Sequence, residues 1–431
     1  MKKRLIVIGG GAAGFFCAVN AASQSPALEV IIIEKTGKLL SKVRVSGGGR
    51  CNVTHACFSI AEMIKKYPRG GTFLKQAFHH FFTRDTIDWF EKRQVRLKTE
   101  PDGRMFPESN SAETIINCLM QEANKHGVRI VMNLEVIKIE VFFPGEINSD
   151  EIENVKKKFV ITCKNDAVFD TDFICIASGG YNKKEQFGWL ASLGHHFDAP
   201  VPSLFTFNIP ANPVVELMGI SVPDVVVKID GTNFSQSGPL LITHWGFSGP
   251  AILKLSAFAA RRLYELQYDF TISVNWLAGF NESSLLTRLK FLREDMARQK
   301  ITSRNPFSLP QRLWEYHLKL CEIQGETRWA DLPAKQQNLL SRQLCSQQFS
   351  VKGKTTFKEE FVTAGGIKLQ EADANTMMSK MISHLFFAGE VLDVDGITGG
   401  FNFQHAWTSG WIAAREISRI FNAGEKVNIK V

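Results

Sequence analysis

Apolar and polar positions divide this chain into segments of two kinds. Leu5-Ile6-Val7-Ile8, Val30-Ile31-Ile32-Ile33, Phe173-Ile174-Cys175-Ile176-Ala177 and Leu385-Phe386-Phe387-Ala388 are short unbroken apolar runs. That is the pattern of strands covered on both faces of a sheet. Thr72 to Arg93 instead carries Phe78, Phe81, Phe82, Ile87 and Phe90 at helical intervals, and Ser111 to Gly127 reads as a helix. Val128 to Glu140 alternates like a strand; Phe159 to Thr162 and Ala167 to Phe169 extend it to a small meander around a polar insertion, Asn148 to Lys158. From about His195 the character changes: Pro200, Pro202, Pro210, Pro213 and Pro223 punctuate short β-rich runs such as Val225 to Ile229. Glu282 to Ser346 is helical and charged, with Trp314, Tyr316 and Trp329 as packing anchors, and Thr363 to Ile367 reopens the glycine-rich style of the first segment.

Glycines fall where the apolar runs end. Gly9, Gly11 and Gly14 fit G-x-G-x-x-G between a strand and a helix that starts at Ala12-Ala13, and Glu34 follows Gly14 by twenty residues at the end of the next strand. This is the fingerprint of a dinucleotide site, with phosphates on free N–H groups at the helix start and an acid on the ribose. Lys2-Lys3-Arg4 before an apolar stretch ending near Ala22 also suits a secretory signal, but a glycine-rich centre is poor for one and leaves Glu34 unexplained. A second cluster follows, in which Ser46, Gly47, Gly48, Arg50, Cys51 and Asn52 offer backbone and side-chain donors to phosphate or a ring edge. Two more close later strands: Ala177-Ser178-Gly179, and Gly389-Glu390 with Gly400-Phe401-Asn402 opening a helix. The expected fold is α/β: a Rossmann-like domain, three-layered on a mostly parallel sheet with a β-meander, formed by residues 1–194 and 361–431. A mixed β and helical domain, 195–360, interrupts it, β-rich over 195–281 and helical over 282–346.

Composition narrows the class. At 431 residues, 44% hydrophobic and 22% charged, the chain suits two globular domains. Eight cysteines without a C-x-x-C pair suggest neither a metal site nor a disulfide framework, and point to a reducing cytoplasm. The formal net charge is +8, but lysines and arginines are scattered, so neither nucleic acid nor a membrane surface is the expected partner. Two side chains are candidates for chemistry on a small molecule: His244, in a polar-aromatic turn, as proton donor, and Arg104, in the turn-rich segment Glu100 to Pro107, as anion clamp.

Four stretches, Val7 to Gly14, Val45 to Asn52, Thr243 to Pro250 and Phe387 to Gln404, resemble the bacterial BaiN-like flavoproteins, and the resemblance spans nearly the whole chain. It implies FAD held non-covalently across the N-terminal βαβ unit, with Glu34 on the ribose and Lys35, Lys42 and Ser46 to Asn52 near pyrophosphate and flavin. Val136, Ala177, Ser178, Gly179, Gly389, Glu390, Gly400, Phe401 and Asn402 would complete the pocket. The implied activity is that of an oxidoreductase passing hydride from flavin N5 to an unsaturated or carbonyl substrate; relatives have been linked to carbon–carbon double bonds of steroid-like bile acid intermediates. A single dinucleotide fingerprint makes NAD(P)H a transient donor. An amine or alcohol oxidase using dioxygen, a tRNA-modifying flavoprotein, and a non-catalytic redox sensor with Cys51 as its thiol are the alternatives. Tyr181 to Gln186 departs from the glycine- and serine-rich stretch of many relatives, which puts the substrate in doubt.

Overall fold

The computed structural model describes residues 2–142, 158–355 and 362–428; of the polar insertion, Asn148 to residue 157 lies outside the described residues. Two compact units divide the chain, Met1–Pro202 with Lys358–Val431, and Ser203–Phe357. In chain order the first runs β1 (Arg4–Ile8), α1 (Ala12–Gln24), β2 (Glu29–Ile33), α2 (Ser41–Gly49), β3 (Thr54–His55), α3 (Ile60–Ile64), α4 (Gly71–Ala77) and α5 (Thr83–Glu91). It continues through β4 (Leu97–Thr99), β5 (Arg104–Pro107), α6 (Ala112–Lys125), β6 (Arg129–Val131), β7 (Val136–Val141), β8 (Phe159–Cys163), β9 (Val168–Thr171) and β10 (Phe173–Ile176). A short helix, Gly188–Ala191, the paired strands Phe197–Ser203 and Val362–Ile367, a strand, Leu385–Phe387, and a long helix, Phe401–Asn428, follow.

The unbroken apolar runs form one sheet in the order Leu385–Phe387, β10, β1, β2, β6, and every neighbouring pair is parallel. Covered on both faces, such strands gain nothing from a polar alternate position. A Cβ on Gly410 of the long helix would lie 2.7 Å from the Ala13 carbonyl, so α1 and that helix meet at a point where only glycine fits. Around the crossing, Phe16 packs on Phe81, Trp89, Phe90 and Trp407.

Two segments differ from the periodicity. Thr72 to Arg93 is two helices, because Phe82 adopts an extended conformation and gives its N–H to the Asp85 carboxylate at 2.8 Å, which restarts the helix. Val128 to Glu140 is likewise split at Asn133, which takes φ 57. β6 therefore joins the parallel sheet while β7 begins the antiparallel meander β7-β8-β9.

His195 to Pro202 belong with the first unit. Buried His195 donates from Nδ1 to Glu371 (2.9 Å), His196 gives the same carboxylate its N–H and Nδ1, and Ser379 Oγ lies 3.2 Å from His195 Nε2. Ser379 Oγ also accepts the N–H groups of Met381 and Ile382, and it is 3% exposed, so this trio is a structural tie and not a nucleophile with its base.

The second unit joins a seven-stranded sheet, in the order Gln347–Lys352, Asp269–Asn275, Ser221–Ile229, Ser235–Thr243, Gly246–Ser248, Thr206–Asn208, Lys354–Thr355, to helices that include Pro250–Phe258, Glu282–Asp295, Gln311–Leu320 and Ala334–Cys345. All its pairings that are described are antiparallel. Its core holds Trp276, Trp314 and Trp329, all essentially without exposure. Among the described residues no helix is long and apolar enough to cross a membrane, and no group of three or more His, Cys, Asp or Glu could hold a metal ion.

Candidate cofactor site

The three fingerprint glycines have different reasons to be glycine. A Cβ on Gly9 (φ 115) would stand 2.3 Å from the Ala177 carbonyl, and one on Gly14 would stand 2.0 Å from the Gly9 carbonyl. These two make the turn and the packing possible. Gly11 has an ordinary extended backbone, φ −90 and ψ −172, and a Cβ there would meet nothing within 4 Å. Neither conformation nor packing within the chain demands glycine at Gly11, so what it leaves is room. It is the N-cap of α1 and has no side chain to cap the helix, so the N–H groups of the first turn, Ala12 and Ala13 among them, point outward without intrahelical acceptors.

The other predicted residues gather around this helix end. Glu34 follows β2 directly, its carboxylate accepting the Gly10 N–H (2.8 Å) and both the N–H and hydroxyl of Thr36. The Leu134 N–H binds the Glu34 carbonyl at 3.0 Å, which brings buried Val136 close behind it. Ala177 gives its N–H to Ile8 (2.8 Å), so Ser178 and Gly179 leave the sheet beside Gly9. A Cβ on Gly389 would lie 2.8 Å from that of Ala13, which places the Gly389-Glu390 turn on α1. Glu390 accepts from Lys42 Nζ and from the Thr363 N–H (2.9 Å). Lys35 lies 5.6 Å over the Tyr181 ring. Thr363 Oγ1 is buried with no hydrogen-bond partner among the described residues.

The second glycine cluster is only partly helical: Ser46 leaves the helix, and Gly47, Gly48 and Gly49 follow at φ 59, 69 and 84. Positive φ at three consecutive positions is a backbone that glycine adopts at little steric cost. Arg50 closes the cluster, stacking 4.0 Å over Phe106 and binding Glu100 at 2.6 Å. Burial pushes the Cys51 thiol up to about 12, over an opposing hydrogen bond from Ser46, so it is an inert thiol at neutral pH and poorly suited to redox sensing. With its amide oriented to satisfy both groups, Asn52 donates to the Thr54 carbonyl (3.0 Å) and accepts the Gly400 N–H (2.9 Å).

That bond joins the second cluster to the start of the long helix. Asn402 binds the Gly396 N–H and carbonyl (2.7 and 2.9 Å), Tyr67 donates to the Phe401 carbonyl (2.7 Å), and His405 Nε2 donates to Gly389 (3.1 Å). Burial pushes the His405 imidazole down to about 4, so it is neutral. Beneath the turn Arg69 binds Asp395 through two nitrogens, the arginine side chain 11% exposed and the carboxylate 0%. Asp395→Ala, which leaves Arg69 without this carboxylate, is expected to cost about 3–5 kcal/mol in urea unfolding, more than the Arg69→Met/Asp395→Leu pair. Equal costs would contradict a buried pair.

Arg104 is held by Asp102 (2.7 Å) and Glu100 (3.3 Å), so its charge is already balanced by neighbours. His244 lies exposed in the second unit, edge-on to Trp245 at 4.4 Å. His55, three residues beyond the second cluster, carries no signal of its own in the sequence. Its ring stacks on Phe401 (4.7 Å, 28°), and its Nδ1 lies 3.1 Å from the Gly399 carbonyl. Burial, the largest influence, pushes its pKa down. The Gly399 carbonyl and Asp102 oppose this, while Lys66 and Arg104 add to it.

A family model, HI0933-like protein Rossmann domain, matches residues 3–416. The chain belongs to the HI0933-like family. Three curated relatives resemble this HI0933-like chain over nearly its full length. Two are ribosomal RNA dihydrouridine synthases, from Haemophilus influenzae (29% identical, 96% of this chain and 98% of the relative) and Escherichia coli (29%, 96% and 97%). The third is a 3-dehydro-bile acid delta(4,6)-reductase of Clostridium scindens (26%, 96% and 98%).

Proposed function

We propose that this HI0933-like chain is an FAD-dependent reductase that saturates a carbon–carbon double bond conjugated to a carbonyl. The observation that carries the reading is Gly11, a glycine required by neither packing nor backbone, at a helix end with open N–H groups. The α1 N-terminus suits a pyrophosphate, and Glu34 retains lone pairs for ribose hydroxyls. Bound FAD supplies hydride chemistry that no side chain can. The chain's part is to bind, orient and set charge. At the long helix, the N–H groups of Phe401, Asn402 and Phe403 have no intrahelical acceptor and offer partial positive charge to an anionic ring edge.

The names of the relatives support the reaction class. Dihydrouridine is uridine with its ring double bond saturated next to a carbonyl, and a delta(4,6)-reduction of a 3-oxo compound saturates the same kind of bond. A second reading, in which RNA carries that bond, is favoured by the names of the two relatives from Haemophilus influenzae and Escherichia coli. NAD(P)H as transient donor belongs to the proposal. Anaerobic NADPH is expected to bleach the bound flavin, and a uridine-containing ribosomal RNA fragment or a 3-oxo-Δ4 steroid to restore its colour. Recovery with dioxygen alone, and with neither acceptor, would point to an oxidase instead. RNA turnover would also fall steeply between low and moderate salt, and steroid turnover would not.

A further inference from the structure

We propose that His55 is a positioning residue for the flavin, holding the glycine turn from which the long helix presents its N–H groups. The inference rests on the FAD reading above. Gly399 and Gly400 take φ 131 and 89, conformations that L side chains rarely adopt. A turn of this kind keeps its direction through the contacts that hold its peptide groups. Asn52 holds the Gly400 N–H, and His55 holds the Gly399 carbonyl. A carbonyl only accepts, so the neutral imidazole carries its proton on Nδ1 and donates it there.

The ring is locked from both sides. One face stacks on Phe401, the first residue of the helix. At the far nitrogen, a Cβ on Gly103 (φ 86) would come 2.5 Å from Nε2, so the β4–β5 turn closes on the imidazole only because glycine is there. The strand itself is fixed by register, with His55 opposite Arg104 across β3 and β5. A residue stacked on the first helical side chain and bonded to the carbonyl two positions before it determines where the first-turn N–H groups point. Those groups favour an anionic, reduced ring over a neutral, oxidised one. His55 therefore shifts the balance between oxidised and reduced flavin without touching substrate.

The experiment is a dye-equilibrated reduction titration of the FAD-loaded protein, with the FAD dissociation constant measured in parallel. His55→Phe keeps an aromatic ring and loses the donor; His55→Asn places an amide N–H where Nδ1–H was. His55→Phe is expected to move the equilibrium at least tenfold toward oxidised flavin, about 30 mV for a two-electron couple, and His55→Asn to return it to within threefold of the wild type. Should the phenylalanine variant not fold, His55→Leu, which also lacks a donor, gives the same comparison. Wild-type potential in the variant without a donor, or an equal shift in His55→Asn, overturns the inference while leaving FAD binding intact. A wild-type chain that binds no FAD overturns the reading beneath it.

Discussion

Gly11→Val is expected to fold as the wild type does and to bind FAD at least a hundredfold more weakly. A Cβ at Gly11 meets nothing within 4 Å, and the backbone there suits any residue. Replacing glycine in such a conformation generally stabilises a chain by about 0.4–1 kcal/mol, through lost freedom of the unfolded state. The valine would instead occupy the space that a pyrophosphate needs against the α1 N–H groups. Gly14→Ala is expected to do the reverse. Its Cβ would stand 2.0 Å from the Gly9 carbonyl, so helix and strand must separate, at about 1–3 kcal/mol or more. Urea unfolding and FAD titration by flavin fluorescence check both variants. Equal loss of stability in the two would mean that Gly11 serves packing after all.

The second large effect is on acid stability. His317 lies in the helix Gln311–Leu320, fully buried beside Trp276, with neither ring nitrogen bonded among the described residues. Burial pushes its pKa down to about 3. The unfolded chain, with histidine near 6.5, takes up the proton first as pH falls. Stability is therefore fully present above about pH 6.5 and is lost progressively toward about 3. At pH 5 the loss from this one group is about 2 kcal/mol. His317→Phe removes it, so wild type and variant should diverge by that amount between pH 7.5 and pH 5 in urea unfolding. His405, pushed down to about 4, remains in both and cancels. Parallel pH profiles would show that His317 is hydrated or paired.

Much of the first unit was legible because its signals are local. Four apolar runs became four parallel strands, since strands covered on both faces need no polar alternation. Gly9 and Gly14 were legible because a tight strand-to-helix turn constrains neighbours in sequence. What the sequence hid depends on particular side-chain contacts and on burial, which spacing alone does not encode. Phe82 restarts a helix through Asp85, which periodicity of apolar residues does not register. His55 meets Gly399 across 344 positions, and no spacing rule reaches so far. Arg104 reads as a free cation until Asp102 and Glu100 are seen to hold it. Cys51 reads as a candidate thiol until its burial is known.

In the proposed function, glycine-lined segments far apart in the chain converge on one FAD. The most direct test is the visible spectrum of the full chain purified without added cofactor, then after incubation with excess FAD and removal of what stays unbound. The two absorption bands of oxidised flavin, at one FAD per chain, are expected. A folded, colourless protein that refuses excess FAD would contradict the proposal.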